Sequence, residues 1–145
     1  MIEKELEVIK ILNQTKFKLF PLSYQYYDEY SCFDCQSRYE IVELKHRDFD
    51  LNKYNTYILE KSKFNRVLRE AFNSRKKFWY VNSFDSGEII GWNISHMYLF
   101  KNMPPLSKMT CPTTTEFANN EKIEKDVYLL SLDTSEYIGK LEKSI

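Results

Sequence analysis

The stretch at residues 32–45, CFDCQSRYEIVELK, limits what this chain can fold into more than any other. A polar tight connection at Gln36-Ser37-Arg38 leads into the run Ile41-Val42-Glu43-Leu44-Lys45. Successive side chains of a strand point to opposite faces, which puts Ile41, Glu43 and Lys45 on one side and Val42 and Leu44 on the other. Two charges therefore share a face of a strand whose other face is apolar. Residues i and i+2 lie about 7 Å apart along a strand, and a hairpin through Gln36-Ser37 brings Asp34 beside Glu43 and Lys45. Two carboxylates with an amine alongside form a donor set for a hard divalent cation.

An Asp near a hairpin turn, about ten residues ahead of an apolar-apolar-Glu-x-Lys strand, resembles the PD-(D/E)xK nuclease superfamily, with Asp34, Glu43 and Lys45 carrying the likeness. Phe33 stands where that family usually has proline. Tyr54–Lys63 (YNTYILEKSK), Phe78–Asn82 (FWYVN) and Gly91–Ile94 (GWNI) are similar to small phage-type members, so the resemblance spans roughly residues 1–95. It implies a mixed central β-sheet flanked by helices and Mg2+- or Mn2+-dependent cleavage of nucleic acid, DNA ahead of RNA, leaving a 5′-phosphate. Asp34, Glu43 and Lys45 would be the catalytic residues. The metal ligands would be Asp34, Glu43, the Leu44 carbonyl and Glu5, since a first-helix glutamate often completes the site in that family. Lys63, on the helix after the Glu-x-Lys strand, would face the site and steady a flanking phosphate. Members often form homodimers so that two sites cut two strands.

A chain of 145 residues suits one domain with a single core. Lys+Arg and Asp+Glu both number 21, so a nucleic-acid site must be a local basic patch without long-range attraction from the whole molecule. Eleven Tyr and ten Phe against three Gly favour strands and aromatic packing, and exclude a Walker A loop or a dinucleotide fingerprint. No apolar run approaches the ~20 residues of a membrane span, and the N-terminus is acidic where a signal peptide is basic. These features predict a soluble protein of the cytoplasm, where an odd count of three cysteines also fits better than a disulfide framework. Cys32 and Cys35 have CxxC spacing, with Cys111, His46 or His96 as further zinc ligands, but no second CxxC accompanies them.

Along the chain, Ile2–Asn13 reads as a helix with Ile2, Leu6, Val8, Ile9 and Leu12 on its apolar face. Glu5 falls within that face, where a carboxylate needs a metal, a donor or water. Lys16–Tyr30 is aromatic and broken at Pro21, a strand running into an irregular edge, and its Asp28 rivals Asp34 as a ligand. His46 alternates away from Glu43, whereas Arg47 shares the Lys45 side and is placed to contact a phosphate. A polar loop to Asn55 precedes a helix over Tyr57–Ser74 with Ile58, Leu59, Phe64, Val67, Leu68, Ala71 and Phe72 inward. Lys76–Phe84 and Glu88–Ile94 form a hairpin about Asp85-Ser86-Gly87, with Trp79 and Trp92 in the core. Ser95–Lys125 reads as a long irregular connection, Val127–Leu132 as a last strand and Thr134–Leu141 as a short helix or tail.

The expected fold is an α/β (α+β) layered domain, a hairpin-rich mixed sheet with a helix on either side. The expected function is metal-dependent phosphodiester hydrolysis. Three alternatives stay open: a catalytically inactive nuclease fold that binds nucleic acid, a protein-interaction factor acting between phage and host, and a small zinc protein.

Overall fold

The computed structural model describes residues 2–14, 25–26, 33–112 and 122–141. The chain runs α1 (Ile2–Gln14), β1 (Gln25–Tyr26), β2 (Cys35–Gln36), β3 (Glu40–Arg47), β4 (Thr56–Glu60), α2 (Lys61–Asn73), β5 (Lys77–Phe84), β6 (Glu88–Asn93), α3 (Ile94–Leu99), β7 (Leu106–Pro112), β8 (Lys122–Ser131), a 3-10 turn (Leu132–Thr134) and β9 (Glu136–Lys140). The larger sheet has the strand order β1-β2-β3-β5-β6-β9, and a second sheet has the order β4-β8-β7. Only β3 and β5 run parallel, in register from Glu40 opposite Lys77 to Arg47 opposite Phe84; the other pairings described are antiparallel. A parallel pair needs a crossover. Here β4 and α2 supply it.

Period-two alternation sorts the larger sheet into two packed faces. Val42 and Leu44 of β3, with Trp79, Val81 and Ile89, pack against Val8, Ile9 and Leu12 of α1. Ile41, Phe78, Tyr80, Ile90 and Trp92 pack against Phe64, Val67, Leu68 and Ala71 of α2 and against Tyr57, Leu59 and Leu130 of the second sheet. Glu43 therefore lies on the α2 face. Gly91 is fixed by close packing, since a Cβ there would stand 2.9 Å from Ile138 Cδ1 and 3.3 Å from Val81 Cγ2. Gly87 takes φ +102° in the β5–β6 turn, a conformation that suits glycine. No helix among the described residues is long and apolar enough to cross a membrane.

Several elements differ from the expectations. Thr56–Glu60, expected as polar loop and then the first turn of a helix, is strand β4, paired with β8 from Thr56 opposite Ser131 to Glu60 opposite Val127. Its alternating buried Tyr57 and Leu59 continue in sequence into the apolar stripe of α2, which hid the change of period. Phe72, expected in that stripe, is exposed at the end of α2, and Leu6 of α1 is exposed as well. Within the expected irregular stretch 95–125 lie most of α3, all of β7 and the start of β8; α3 is capped by the Asn93 side chain, which accepts from the His96 amide. Glu136–Lys140, expected as helix or tail, is strand β9 on β6. The hairpin tip before β3 falls at Arg38-Tyr39, closed by Ser37 N–H donating to the Glu40 carbonyl at 2.9 Å. Most of Lys16–Tyr30, with Pro21 and Asp28, lies outside the described residues, as does Cys32.

Candidate functional site

Asp34 is held against the edge of β3 at two points. Its amide donates to the Val42 carbonyl at 3.1 Å, and its Oδ2 accepts from the Leu44 amide at 2.8 Å. A strand residue's N–H and C=O point to the same side, so the Leu44 carbonyl is directed to this edge too. Glu43 sits between these anchors with its side chain 7% exposed, and Lys63 from the first turn of α2 donates to its Oε1 at 2.6 Å. The Glu43 and Asp34 carboxyl groups are close enough to share a hydrogen bond.

This crowding sets the electrostatics. Burial, then the charge of Asp34, pushes the Glu43 carboxyl up to about 8, against the pull of Lys63. Burial works against the Lys63 ammonium, but Glu43 and, more weakly, Tyr80 and Asp34 hold its pKa above the ordinary value. Cys35, on the α1 side of β2, is a buried free thiol whose pKa is raised by burial and then by Asp34, Glu43 and Glu5. The charge of Glu5 on α1 is thus felt at Cys35, on the face of the sheet opposite Glu43. The Cys35 thiol stays protonated there, while the Cys111 side chain lies outside what is described.

The remaining candidates divide. Lys45 shares the Glu43 face by alternation, stands opposite Asn82 in the register and is exposed, with no ion pair among the described residues. Arg47 is buried, and its guanidinium is taken up by neutral partners: Nε donates to Asn82 Oδ1 at 2.8 Å, and one terminal nitrogen to the Ile58 carbonyl at 3.0 Å and the Tyr80 hydroxyl at 3.1 Å. The position assigned to a phosphate contact is therefore filled by the protein's own interior. Arg47 joins the sheet to β4 beneath the site. Tyr80, whose phenol is raised by burial, stands opposite Glu43 and completes this floor.

His46 does face away from Glu43, and it has a setting that its sequence neighbourhood does not reveal. Its Nδ1 meets Ser83 Oγ and its Nε2 meets Asp85 Oδ1, each at 2.9 Å, with Asp48 Oδ1 at 3.9 Å from Nε2. Single ligand atoms of His46, Asp48 and Asp85 lie within 4.8 Å of one another, at the ends of the parallel strands β3 and β5. Asp48 and Asp85 also line an open cleft of about 600 Å³ with Phe49, Asp50, Leu51, Asn52 and Lys53. The parallel register is what brings Ser83 and Asp85 to His46, and no short-range pattern encodes it. These contacts tie the loop after β3 to the β5–β6 turn.

The oxygen-rich edge of β3 can therefore hold a hard cation through Asp34, Glu43 and the Leu44 carbonyl, with Lys63 opposite. No protein-family model matches this chain, and neither a curated protein nor a solved structure matches it.

Proposed function

We propose that the protein is a metal-dependent nuclease that hydrolyses phosphodiester bonds, DNA ahead of RNA, at the edge of β3. The observation that carries this reading is the pairing of Asp34 and Glu43, two carboxyl groups within hydrogen-bond reach of each other and fixed to one strand. Two such groups cannot both ionise at low cost without a cation between them. The donor set fits Mg2+ or Mn2+, since it is all hard oxygen.

A divalent ion held by Asp34, Glu43 and the Leu44 carbonyl would supply Lewis-acid polarisation of the scissile phosphate. The chain's own residues do the rest. Asp34 keeps its bond to the Leu44 amide, so its second oxygen is aimed and not free to rotate. Lys45, exposed on the Glu43 face, supplies an ammonium to orient the attacking water and offset the charge that builds on the pentacovalent phosphorus. Lys63 faces the same space and binds an adjacent phosphate oxygen. Arg47 and Tyr80 position the floor and take no direct part.

The test is cleavage of single- and double-stranded DNA and RNA by purified protein with Mg2+ or Mn2+. Lys45→Ala and Glu43→Ala are expected to lose at least about 100-fold in rate. Undiminished cleavage by Lys45→Ala would remove the proposed role. Retention of nucleic acid with no cleavage by the wild type would assign the site to binding alone.

A further inference from the structure

The ammonium of Lys63 lies 2.6 Å from Glu43 Oε1, on the mouth of a site built from two carboxyl groups. Glu43 is buried while the Lys63 side chain is 38% exposed, so the amine approaches from the open side on a flexible four-carbon stem. An ion coordinating Glu43 requires an oxygen at about 2.0–2.1 Å for Mg2+. If it took Oε1, it would displace the ammonium. If it took Oε2, the ion and the ammonium would be like charges held on one carboxylate, which repel. In either case the cation and the ammonium exclude each other. Asp34 also attracts Lys63, so both carboxyl groups hold it.

We propose that Lys63 and the divalent cation compete for Glu43, and that cation binding releases the Lys63 ammonium towards the phosphodiester. This rests on the metal-dependent reading of the site and extends it to the order of binding. The cation alone binds weakly, because it must expel an internal counter-charge. A polyanion that captures the expelled ammonium makes the same cation bind more tightly. Metal and nucleic acid are then positively coupled through one side chain, and each raises the affinity for the other by the same factor.

The measurement is Mn2+ affinity by calorimetric titration, with and without a hexathymidylate carrying a phosphorothioate backbone. Lys63→Met is expected to bind Mn2+ on the order of tenfold more tightly than wild type in the absence of oligonucleotide, the loss of an ion-pair competitor. Lys63→Arg keeps a cation on the same helical turn and should stay near wild type. The oligonucleotide should tighten Mn2+ binding to wild type and have a much smaller effect on Lys63→Met. Far-UV circular dichroism establishes that each variant is folded. If Lys63→Met binds Mn2+ no more tightly than wild type while Glu43→Gln abolishes binding, the competition is overturned and the metal site stands. Wild-type Mn2+ binding that is absent, or indifferent to Glu43→Gln, overturns both.

Discussion

Glu43 is a buried carboxyl with a second carboxyl beside it, and this makes the stability of the protein depend on pH in a defined direction. Its folded pKa is raised to about 8, well above the ~4.3 of an exposed glutamate. Between those values the folded state holds a proton that the unfolded state has lost, so stability falls as pH rises. The contribution of Glu43 is fully present below about pH 4 and is gone once the pH has passed 8. Glu43→Gln removes this dependence. Relative to that variant, wild type should lose about 4 kcal/mol between pH 5 and pH 8.5 in the presence of a chelator, roughly 8–16 °C in Tm by differential scanning calorimetry. A divalent cation should narrow the gap at the higher pH. Lys63→Met should widen it, since Lys63 is the group that pulls the Glu43 pKa down.

At the scale of elements, the candidate site depends on how β3, β2 and α2 are set against one another. Gly91 of β6 lies where the α1-side layer is tightest, and Gly91→Val would force Ile138 and Val81 apart. It should cost about 1–3 kcal/mol in urea unfolding, with activity lost only as the folded fraction falls. Asn93→Ala removes the cap of α3, a helix of six residues, and should cost about 1 kcal/mol by the same measurement. Which elements could be read from the text follows from the range of their contacts. The apolar phase of α1 and the alternation of β3 are local, and both elements stand where the pattern put them. The place of Lys63 beside Glu43 was expected only from the family resemblance, since the apolar stripe of Phe64, Val67, Leu68 and Ala71 leaves it with Lys61, Arg66 and Arg69 on a basic face. Strand β4 and strand β9 were not readable. Tyr57 and Leu59 are buried by pairing with β8, more than sixty residues on, and Glu136–Lys140 is held as a strand by pairing with β6 across a register shift. The occupation of Arg47 was hidden for the same reason, since its partner Ile58 belongs to β4 and its partners Tyr80 and Asn82 to β5, more than thirty residues on.

On the scale of the whole molecule, the two sheets share one apolar layer: residues of β3, β5 and β6 pack with those of β4, β8 and α2. Unfolding should therefore be a single transition. Tryptophan fluorescence, which reports Trp79 on one face and Trp92 on the other, should coincide with far-UV circular dichroism in denaturant. Separate midpoints would mean that the second sheet can leave without the first. With 21 basic and 21 acidic residues the molecule has no net field to draw a polyanion, so nucleic-acid binding should depend on salt only as strongly as its few contacts require. A slope of about −2 to −4 in log K against log salt corresponds to the contacts that Lys45, Lys63 and a few neighbours can make.

The parallel pairing of β3 with β5 also fixes an order of events. The β2–β3 hairpin brings Asp34 to Glu43 across a two-residue tip, a local closure that forms within microseconds in small hairpins. Lys63 reaches them only when the whole β4–α2 crossover has docked, which makes it a slow, non-local step. Synthesis from the N-terminus thus delivers the two acids before the amine that pairs with Glu43 can be docked against them.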